Sequence, residues 1–115
     1  GGFELQVQRV QYQDCLTKNA PQFDLEKALF IAVDNTDELV VRLRNSGDTI
    51  QKFGGGSKSL GDFLTDKKVP LRLRDRLPVI ANGNEIICVC GVDIARNAKV
   101  EKDSKKIYKI TLVSD

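Results

Sequence analysis

The apolar residues of this chain occur in short runs, and turn-forming residues separate one run from the next. Residues 3–8 alternate apolar and polar side chains, the period-two pattern of a strand with one buried face. Further strands are predicted from apolar runs at 29–33, 39–43, 79–80, 85–89 and 107–113. No run approaches the roughly 18–20 apolar residues that a membrane-spanning helix needs. The pattern therefore predicts a small β-rich domain and argues against a membrane protein.

Turn-forming residues indicate how these strands connect. Five polar residues at 34–38 separate two apolar runs and predict a hairpin between 29–33 and 39–43. Asn82-Gly83 is the strongest hairpin signal in the chain. A short helical turn or two is also compatible with residues 23–29, after a polar, loop-like stretch from 12 to 21.

Residues 59–68 have the pattern of a short amphipathic helix. Ser59 followed three residues later by Asp62 resembles a capping box, and Lys67-Lys68 would complement the dipole at the helix end. Three apolar side chains recur at i, i+3 and i+4 and should be buried together: Leu60, Phe63 and Leu64. A second short helix is predicted over 71–77. The fold class is thus α+β and β-rich, a small barrel-like sheet of five to seven short strands with one or two short helices.

The chain contains no histidine, which excludes a Ser-His-Asp triad, a Cys-His pair and a zinc site with histidine ligands. It has three cysteines, Cys15, Cys88 and Cys90. The C-x-C pair lies in an apolar run with poor geometry for a disulfide, so we expect small buried thiols in a reduced protein. The acidic residues show no signature spacing. The sequence therefore predicts no catalytic residue, no metal site and no cofactor site.

The net charge of +2 is unevenly distributed along the chain. Residues 1–41 carry three basic and seven acidic side chains, whereas 42–115 carry fifteen basic and nine acidic ones. Within the second part, residues 42–76 carry nine basic and four acidic side chains. Such a stretch binds a polyanion if folding gathers its cations on one face. Otherwise it is a solvated surface of weak ion pairs, in which Asp75 pairs with a neighbouring cation. The candidate nucleic-acid contacts all lie between 42 and 76 and are Arg42, Arg44, Lys52, Lys58, Lys67, Lys68, Arg72, Arg74 and Arg76.

Three consecutive glycines at 54–56 followed by Ser57-Lys58-Ser59 suggest a phosphate-binding loop. The Walker pattern fails, because Ser57 stands where a glycine should precede Lys58. Two interpretations stay open: a flexible connector, or a loop whose exposed amides and lysine contact a nucleic-acid phosphate.

Four segments carry motifs in a recognisable order and spacing. They are R-x-R-x-x-G-D from residue 42, G-S-K-S-L-G-D-F-L-T-D-K-K-V-P at 56–70, R-D-R-L-P-V from 74, and I-I-C-V-C-G at 86–91. Together they resemble the C-terminal domain of the tRNA(Ile)-lysidine synthetase family. The resemblance covers 42–115 well and 1–41 only loosely. It departs from the family pattern at Cys88, where a tryptophan is common, and at Val92-Asp93, where a basic residue is common.

The resemblance implies a place in a larger, cytoplasmic ligase. In that family the complete enzyme uses ATP, with magnesium, to activate the wobble cytidine of a CAU-anticodon isoleucine tRNA, and free lysine then attacks to give lysidine. The chemistry belongs to an N-terminal domain with an S-G-G-x-D-S loop, which this chain lacks. We therefore expect residues 1–115 to be a single domain of that enzyme, inactive alone. The opening Gly1-Gly2 without a methionine agrees with a piece of a longer protein.

The family's C-terminal domain is held to grip the tRNA acceptor stem. The resemblance thus implies an accessory tRNA-binding domain whose nine basic candidates position phosphates of an A-form stem. The alternative is a docking or dimerisation module that holds the catalytic domain of the same chain, or a second copy, without contacting RNA. The acidic residues of 1–41 would then meet a basic partner.

Overall fold

A computed structural model describes residues 3–13, 29–52 and 54–114. Within these residues nine strands are formed, with short helices between some of them. In chain order the elements are β1 Phe3–Val10, β2 Leu29–Ala32, β3 Leu39–Arg42, β4 Thr49–Gln51, β5 Ser57–Ser59, α1 Leu60–Asp66, α2 Leu71–Arg74, β6 Val79–Asn82, β7 Glu85–Val89, β8 Asp93–Ile94, a 3-10 helix Arg96–Ala98 and β9 Ile107–Ser114. The β-rich α+β class is confirmed. The strand count exceeds five to seven because β4, β5 and β8 are too short to leave a pattern in the sequence.

The strands form two sheets around one core. In the first sheet β9 lies in the centre, antiparallel to β1 on one side and to β2 on the other. The second sheet has the order β3-β6-β7-β4-β5, with β8 paired to β7, and only β4 and β7 run parallel. Ile31 and Ile110 of the first sheet and Ile80 and Ile86 of the second are fully buried in the same cluster. No helix in the described ranges is long and apolar enough to cross a membrane.

The hairpin predicted between 29–33 and 39–43 is wrong. β2 pairs with β9, and β3 pairs with β6, so these two neighbouring strands lie in different sheets. A five-residue connection permits local pairing but does not require it. The long strand β9 offers β2 an edge whose residues Ile107 and Ile110 bury its apolar side chains.

The hairpin between β6 and β7 is confirmed, with its turn one residue later than the strongest dipeptide suggests. Asn82 pairs with Glu85, so Gly83 and Asn84 are the two turn residues. Gly83 has φ +61 and Asn84 has no positive φ, which is the combination of a type II′ turn.

Helix α1 agrees closely with its prediction. The Ser59 Oγ accepts a hydrogen bond from the Asp62 amide at 3.2 Å, and Leu60, Phe63 and Leu64 are buried. Lys68 then takes a left-handed conformation at φ 59, while the amides of Lys68 and Val69 donate to the carbonyls of Thr65 and Leu64. This pair of bonds is a Schellman motif, which usually has glycine where Lys68 stands. The second helix, α2, is shorter than the predicted 71–77.

Two further predictions have mixed outcomes. Cys88 and Cys90 are buried free thiols, as expected. Val7, expected on the buried face of β1, is exposed; among the described strands, β1 is an edge strand hydrogen-bonded only to β9. Cys15 and the helical turns predicted over 23–29 fall on 14–28, outside the described residues, apart from Leu29, which begins β2.

Candidate nucleic-acid interface

The first predicted contact, Arg42, is held inside the protein by Asp48. Its guanidinium donates to both carboxylate oxygens at 2.8 and 2.9 Å and also to the carbonyls of Leu43 and Gly83. Asp48 is buried and accepts a third hydrogen bond from the Asn45 amide at 2.7 Å. We call Arg42 and Asp48 the Asp48 anchor. It links the end of β3 to the turn before β4 and to the β6–β7 turn.

The pKa values of the anchor reflect this pairing. Burial alone raises the pKa of Asp48, but the hydrogen bonds from Arg42 and the Asn45 amide, with the charge of Arg42, lower it below its usual value overall. The hydrogen bond to Asp48 raises the pKa of Arg42. Both groups are therefore charged at neutral pH, and Arg42 serves the fold.

Two other candidate arginines also have partners within the protein. Arg74 Nε donates to the Val69 carbonyl at 2.9 Å and its Nη1 donates to the Thr65 Oγ1 at 3.1 Å, so the side chain lies against the end of α1. Asp75 pairs with a cation, but its partner is the distant Arg44, at 2.7 Å, and not a neighbouring arginine.

A cleft lies between the β4–β5 hairpin, α1 and the segment from β8 to the 3-10 helix. It has a volume of about 510 Å³, and five cationic side chains line it, with Asp66 and Asp93 between them. A second depression of about 600 Å³ adjoins it, next to the hairpin tip and Glu101. We call the two together the basic cleft; its cations are Lys52, Lys58, Lys67, Arg96 and Lys99. Both depressions are lined by Gln51, Lys52, Arg96 and Lys99. We call these four residues, with Lys67 and Asp93 beside Lys99, the shared wall.

Ion pairs organise the cleft without neutralising it. Asp93 accepts from Lys67 at 2.9 Å and lies 3.5 Å from the Nζ of Lys99, so two lysines share one carboxylate. Burial raises the pKa of Asp93, but the hydrogen bonds from Lys67 and the Ile94 amide and the nearby lysine charges lower it overall. Lys58 pairs with Asp66, and Arg96 pairs with Glu101 at 3.1 Å. Five cations thus face three carboxylates.

The remaining candidates are unpaired. Among the described residues, the side chain of Lys52 makes no hydrogen bond or ion pair, and the same holds for the side chains of Lys68, Arg72 and Arg76. The last three follow α1 along the chain, and we call them the α1–α2 edge. Two exposed leucines stand in α2 itself, Leu71 with 76% and Leu73 with 39% of its surface accessible. The nine candidates therefore divide into anchoring arginines, cleft lysines and an unpaired edge.

The sequence prediction missed Arg96 and Lys99. Both lie beyond the stretch that was singled out for its charge, and the pairing of β8 with β7 brings them beside Lys52 and Lys67. A second basic run, with cations at 96, 99, 102, 105 and 106, was the available signal.

The triple glycine forms the tip of the β4–β5 hairpin. Gly54, Gly55 and Gly56 have φ of +90, +97 and +75, and the Lys52 amide donates to the Gly56 carbonyl at 3.1 Å. The connector is therefore a tight turn that lines the second depression. No group of three or more cysteine or acidic side chains suited to a metal ion occurs in the described part of the chain.

Comparison with known proteins identifies the family of this chain. The fold is similar to a crystal structure of a TilS C-terminal domain, with a TM-score of 0.61 and 21% identity, over 96% of this chain and 83% of that one. Residues 39–111 match the family described as the TilS substrate C-terminal domain. The chain belongs to this family of C-terminal domains of tRNA(Ile)-lysidine synthases.

Curated relatives agree with this placement. The tRNA(Ile)-lysidine synthase of Clostridium perfringens strain 13 is 32% identical over 114 residues, which are 96% of this chain and 23% of that protein. The tRNA(Ile)-lysidine synthase of Clostridium tetani is 41% identical over 75 residues, 64% of this chain and 16% of that protein. The chain spans less than a quarter of the length of these relatives.

Proposed function

We propose that this chain is the accessory tRNA-binding domain of a cytoplasmic enzyme that converts the wobble cytidine of CAU-anticodon tRNA(Ile) to lysidine. Membership of the family supports the enzyme, and the basic cleft carries the proposal of binding. Cations from β4–β5, α1 and the segment around the 3-10 helix line one concave surface with fewer carboxylates. A concave surface of one charge attracts a polyanion of the opposite charge.

The role of these cations is to position phosphates of the tRNA acceptor stem. Lysine ammonium groups act as point charges on phosphates, and A-form RNA is recognised mainly by shape and backbone. The cleft lysines and the α1–α2 edge are the contacts we propose. Arg42, Arg44 and Arg74 have protein partners and instead keep the cleft and the edge in position.

The reaction itself belongs to another part of the enzyme in this proposal. ATP and magnesium act in an N-terminal catalytic domain of the same chain, with which this domain is in contact. Because the sequence has no histidine and no S-G-G-x-D-S loop, the 115-residue chain alone should release no pyrophosphate from ATP in the presence of tRNA(Ile) and lysine. Release above a protein-free control would contradict this assignment.

Salt dependence tests the proposal of tRNA binding. Each duplex phosphate neutralised contributes about −0.9 to the slope of log affinity against log salt concentration. We expect the 115-residue chain to bind a tRNA(Ile) transcript at 50 mM salt with a slope of several units, roughly one per cleft or edge cation engaged. Fluorescence titration across a salt series measures both quantities. Absence of binding at low salt would contradict the proposal.

A second candidate is a docking or dimerisation module, which the exposed Leu71 and Leu73 favour. Exposed apolar side chains on a surface helix suit a protein interface. Sedimentation of the chain, alone and with the catalytic domain of the same enzyme, tests it. Binding that Leu71→Asp abolishes, together with no affinity for tRNA, would support this candidate over the first.

A further inference from the structure

The shared wall of the basic cleft carries two positive charges that no carboxylate compensates. One belongs to Lys52, which has no ion-pair partner. The other arises at Asp93, where Lys67 and Lys99 share a single negative charge. Lys58 and Arg96 each have a carboxylate of their own. The surplus is therefore concentrated on the wall between the two depressions.

The shape of the cleft is suited to a chain of anions. Because both depressions share Lys52 and Lys99, a strand passing from one to the other remains beside the same cations. The hairpin tip at Gly54 and Gly55 has no side chains, and a Cβ added at either position would meet nothing within 4 Å. A sugar–phosphate backbone can therefore approach the tip closely.

Two large apolar side chains in the floor of the cleft are nearly inaccessible. Phe63 and Ile94 lie in its floor but are buried, and the Lys67 ammonium lies 5.6 Å from the centre of the Phe63 ring. Among the described lining residues, a base thus finds no exposed aromatic ring to stack on. This favours phosphates as the ligand.

We propose that the shared wall binds two successive phosphates of one RNA strand, one at Lys52 and one at the Lys67–Lys99 pair. The inference rests on the proposed function and identifies the part of the domain that contacts the RNA. Asp93 is a positioning residue here, because its carboxylate holds two ammonium groups at the wall while leaving one charge in surplus.

A pair of matched double variants tests the proposal. Lys52→Gln with Lys99→Gln removes two cations from the shared wall, and Arg72→Gln with Arg76→Gln removes two from the α1–α2 edge, so the net charge is equal. We expect the wall variant to weaken tRNA(Ile) binding at least about tenfold. Its salt slope should flatten by about 1.4 to 1.8, the value for two phosphates on a single strand or a duplex. The edge variant should lose less affinity and less slope.

Folding of the variants is controlled separately. Lys52 has no partner to lose, and Asp93 keeps Lys67 when Lys99 is replaced. The thermal midpoint of both variants should therefore match that of the wild type. Lys52→Gln alone should flatten the slope by about half as much and serves if the double variant is unstable.

Two RNA probes identify the form of the strand. A 12-base-pair duplex and a single-stranded oligonucleotide of the same length are titrated against wild type and wall variant. The probe that occupies the cleft is the one whose salt slope is flatter with the wall variant than with the wild type. The inference would be overturned if the wall and edge variants lost equal affinity for tRNA(Ile), or if the wall variant flattened the salt slope with neither probe. The proposed function would still stand as long as the wild type binds tRNA. Competition by polyglutamate as effective as that by unlabelled RNA would also overturn it.

Discussion

The carboxylates of Asp48 and Asp93 both hold cations, and they do so in different ways. The side chain of Asp48 is 1% exposed, and a single guanidinium spans both of its oxygens. The side chain of Asp93 is 15% exposed, and two lysines share it. The planar fork of arginine matches a carboxylate fully, whereas lysine is a point charge on a flexible stem. At Asp48 one arginine and one carboxylate compensate each other's charge, whereas at Asp93 two lysines and one carboxylate leave a net positive charge at the surface.

This comparison separates basic residues that hold the fold from those available to a ligand. The charge count along the chain gives both groups the same weight. In the folded protein the arginines at 42, 44 and 74 have protein partners, while Lys52 has none and Lys67 with Lys99 carries a surplus. Residues of the first group should therefore affect stability, and residues of the second should affect RNA binding.

The largest effect is expected from Phe63→Ala, because Phe63 belongs to both the core and the floor of the cleft. The change should lower the free energy of unfolding by about 3–5 kcal/mol. Urea denaturation measures it, with Phe63→Leu as the control that keeps part of the packing and should lose less. An unchanged midpoint would mean that α1 is not packed on the core as described.

Breaking each carboxylate's pair tests the comparison directly. Arg42→Ala leaves Asp48 charged and buried and should cost about 3 kcal/mol. Lys67→Ala leaves Asp93 with Lys99 at a partly exposed site and should cost no more than about 1 kcal/mol. Urea denaturation of both variants at pH 7 gives the two values. Equal losses would show that the two sites do not differ in the way proposed.

The pH dependence of the Arg42→Ala effect follows from the lowered pKa of Asp48. A carboxyl with a folded pKa below its unfolded value of about 3.9 contributes stability above that pH and loses it as the pH falls through the folded value. The difference in urea midpoint between wild type and Arg42→Ala should therefore shrink between pH 4 and pH 2. A difference that stays constant over this range would contradict the anchor.

The left-handed conformation of Lys68 predicts a smaller, stabilising effect. Glycine adopts φ 59 without the cost of about 1 kcal/mol that a side chain incurs there. Lys68→Gly should raise the free energy of unfolding by roughly 0.5–1 kcal/mol, and Lys68→Ala should not raise it. Thermal denaturation distinguishes the two. Because Lys68 is on the α1–α2 edge, the glycine variant should lose less RNA affinity than Lys52→Gln.

The smallest expected effect is a gain in tRNA affinity, which tests whether the cleft or the α1–α2 edge binds the RNA. Asp66→Asn frees Lys58 in the cleft, and Asp75→Asn frees Arg44 beside the edge; both carboxylates are exposed, at 60% and 77%. The first change should strengthen tRNA binding about threefold, the scale of an exposed ion pair, and the second should change it less. A larger gain in affinity with Asp75→Asn would indicate that the RNA binds at the α1–α2 edge instead of in the cleft.

Elements whose cause is local could be predicted from the sequence. The Ser59 cap, the buried face of α1 and the β6–β7 hairpin depend on residues within a few positions of one another, so a linear pattern reports them. Buried cysteines and the fold class followed from the same apolar runs. The motifs from 42 to 91 also identified the family over the part of the chain where the family match lies.

The partners of the charged side chains could not be predicted in this way, because they depend on the folded arrangement. Arg42 meets Asp48 and Gly83 because the end of β3 and two turns converge, and Arg96 and Lys99 join Lys52 because β8 pairs with β7. The pairing of β2 with β9 likewise depends on residues about 80 positions apart. The sign of a charge can be read from the sequence. Its partner depends on which distant segments share a surface, and burial across the whole core selects that arrangement.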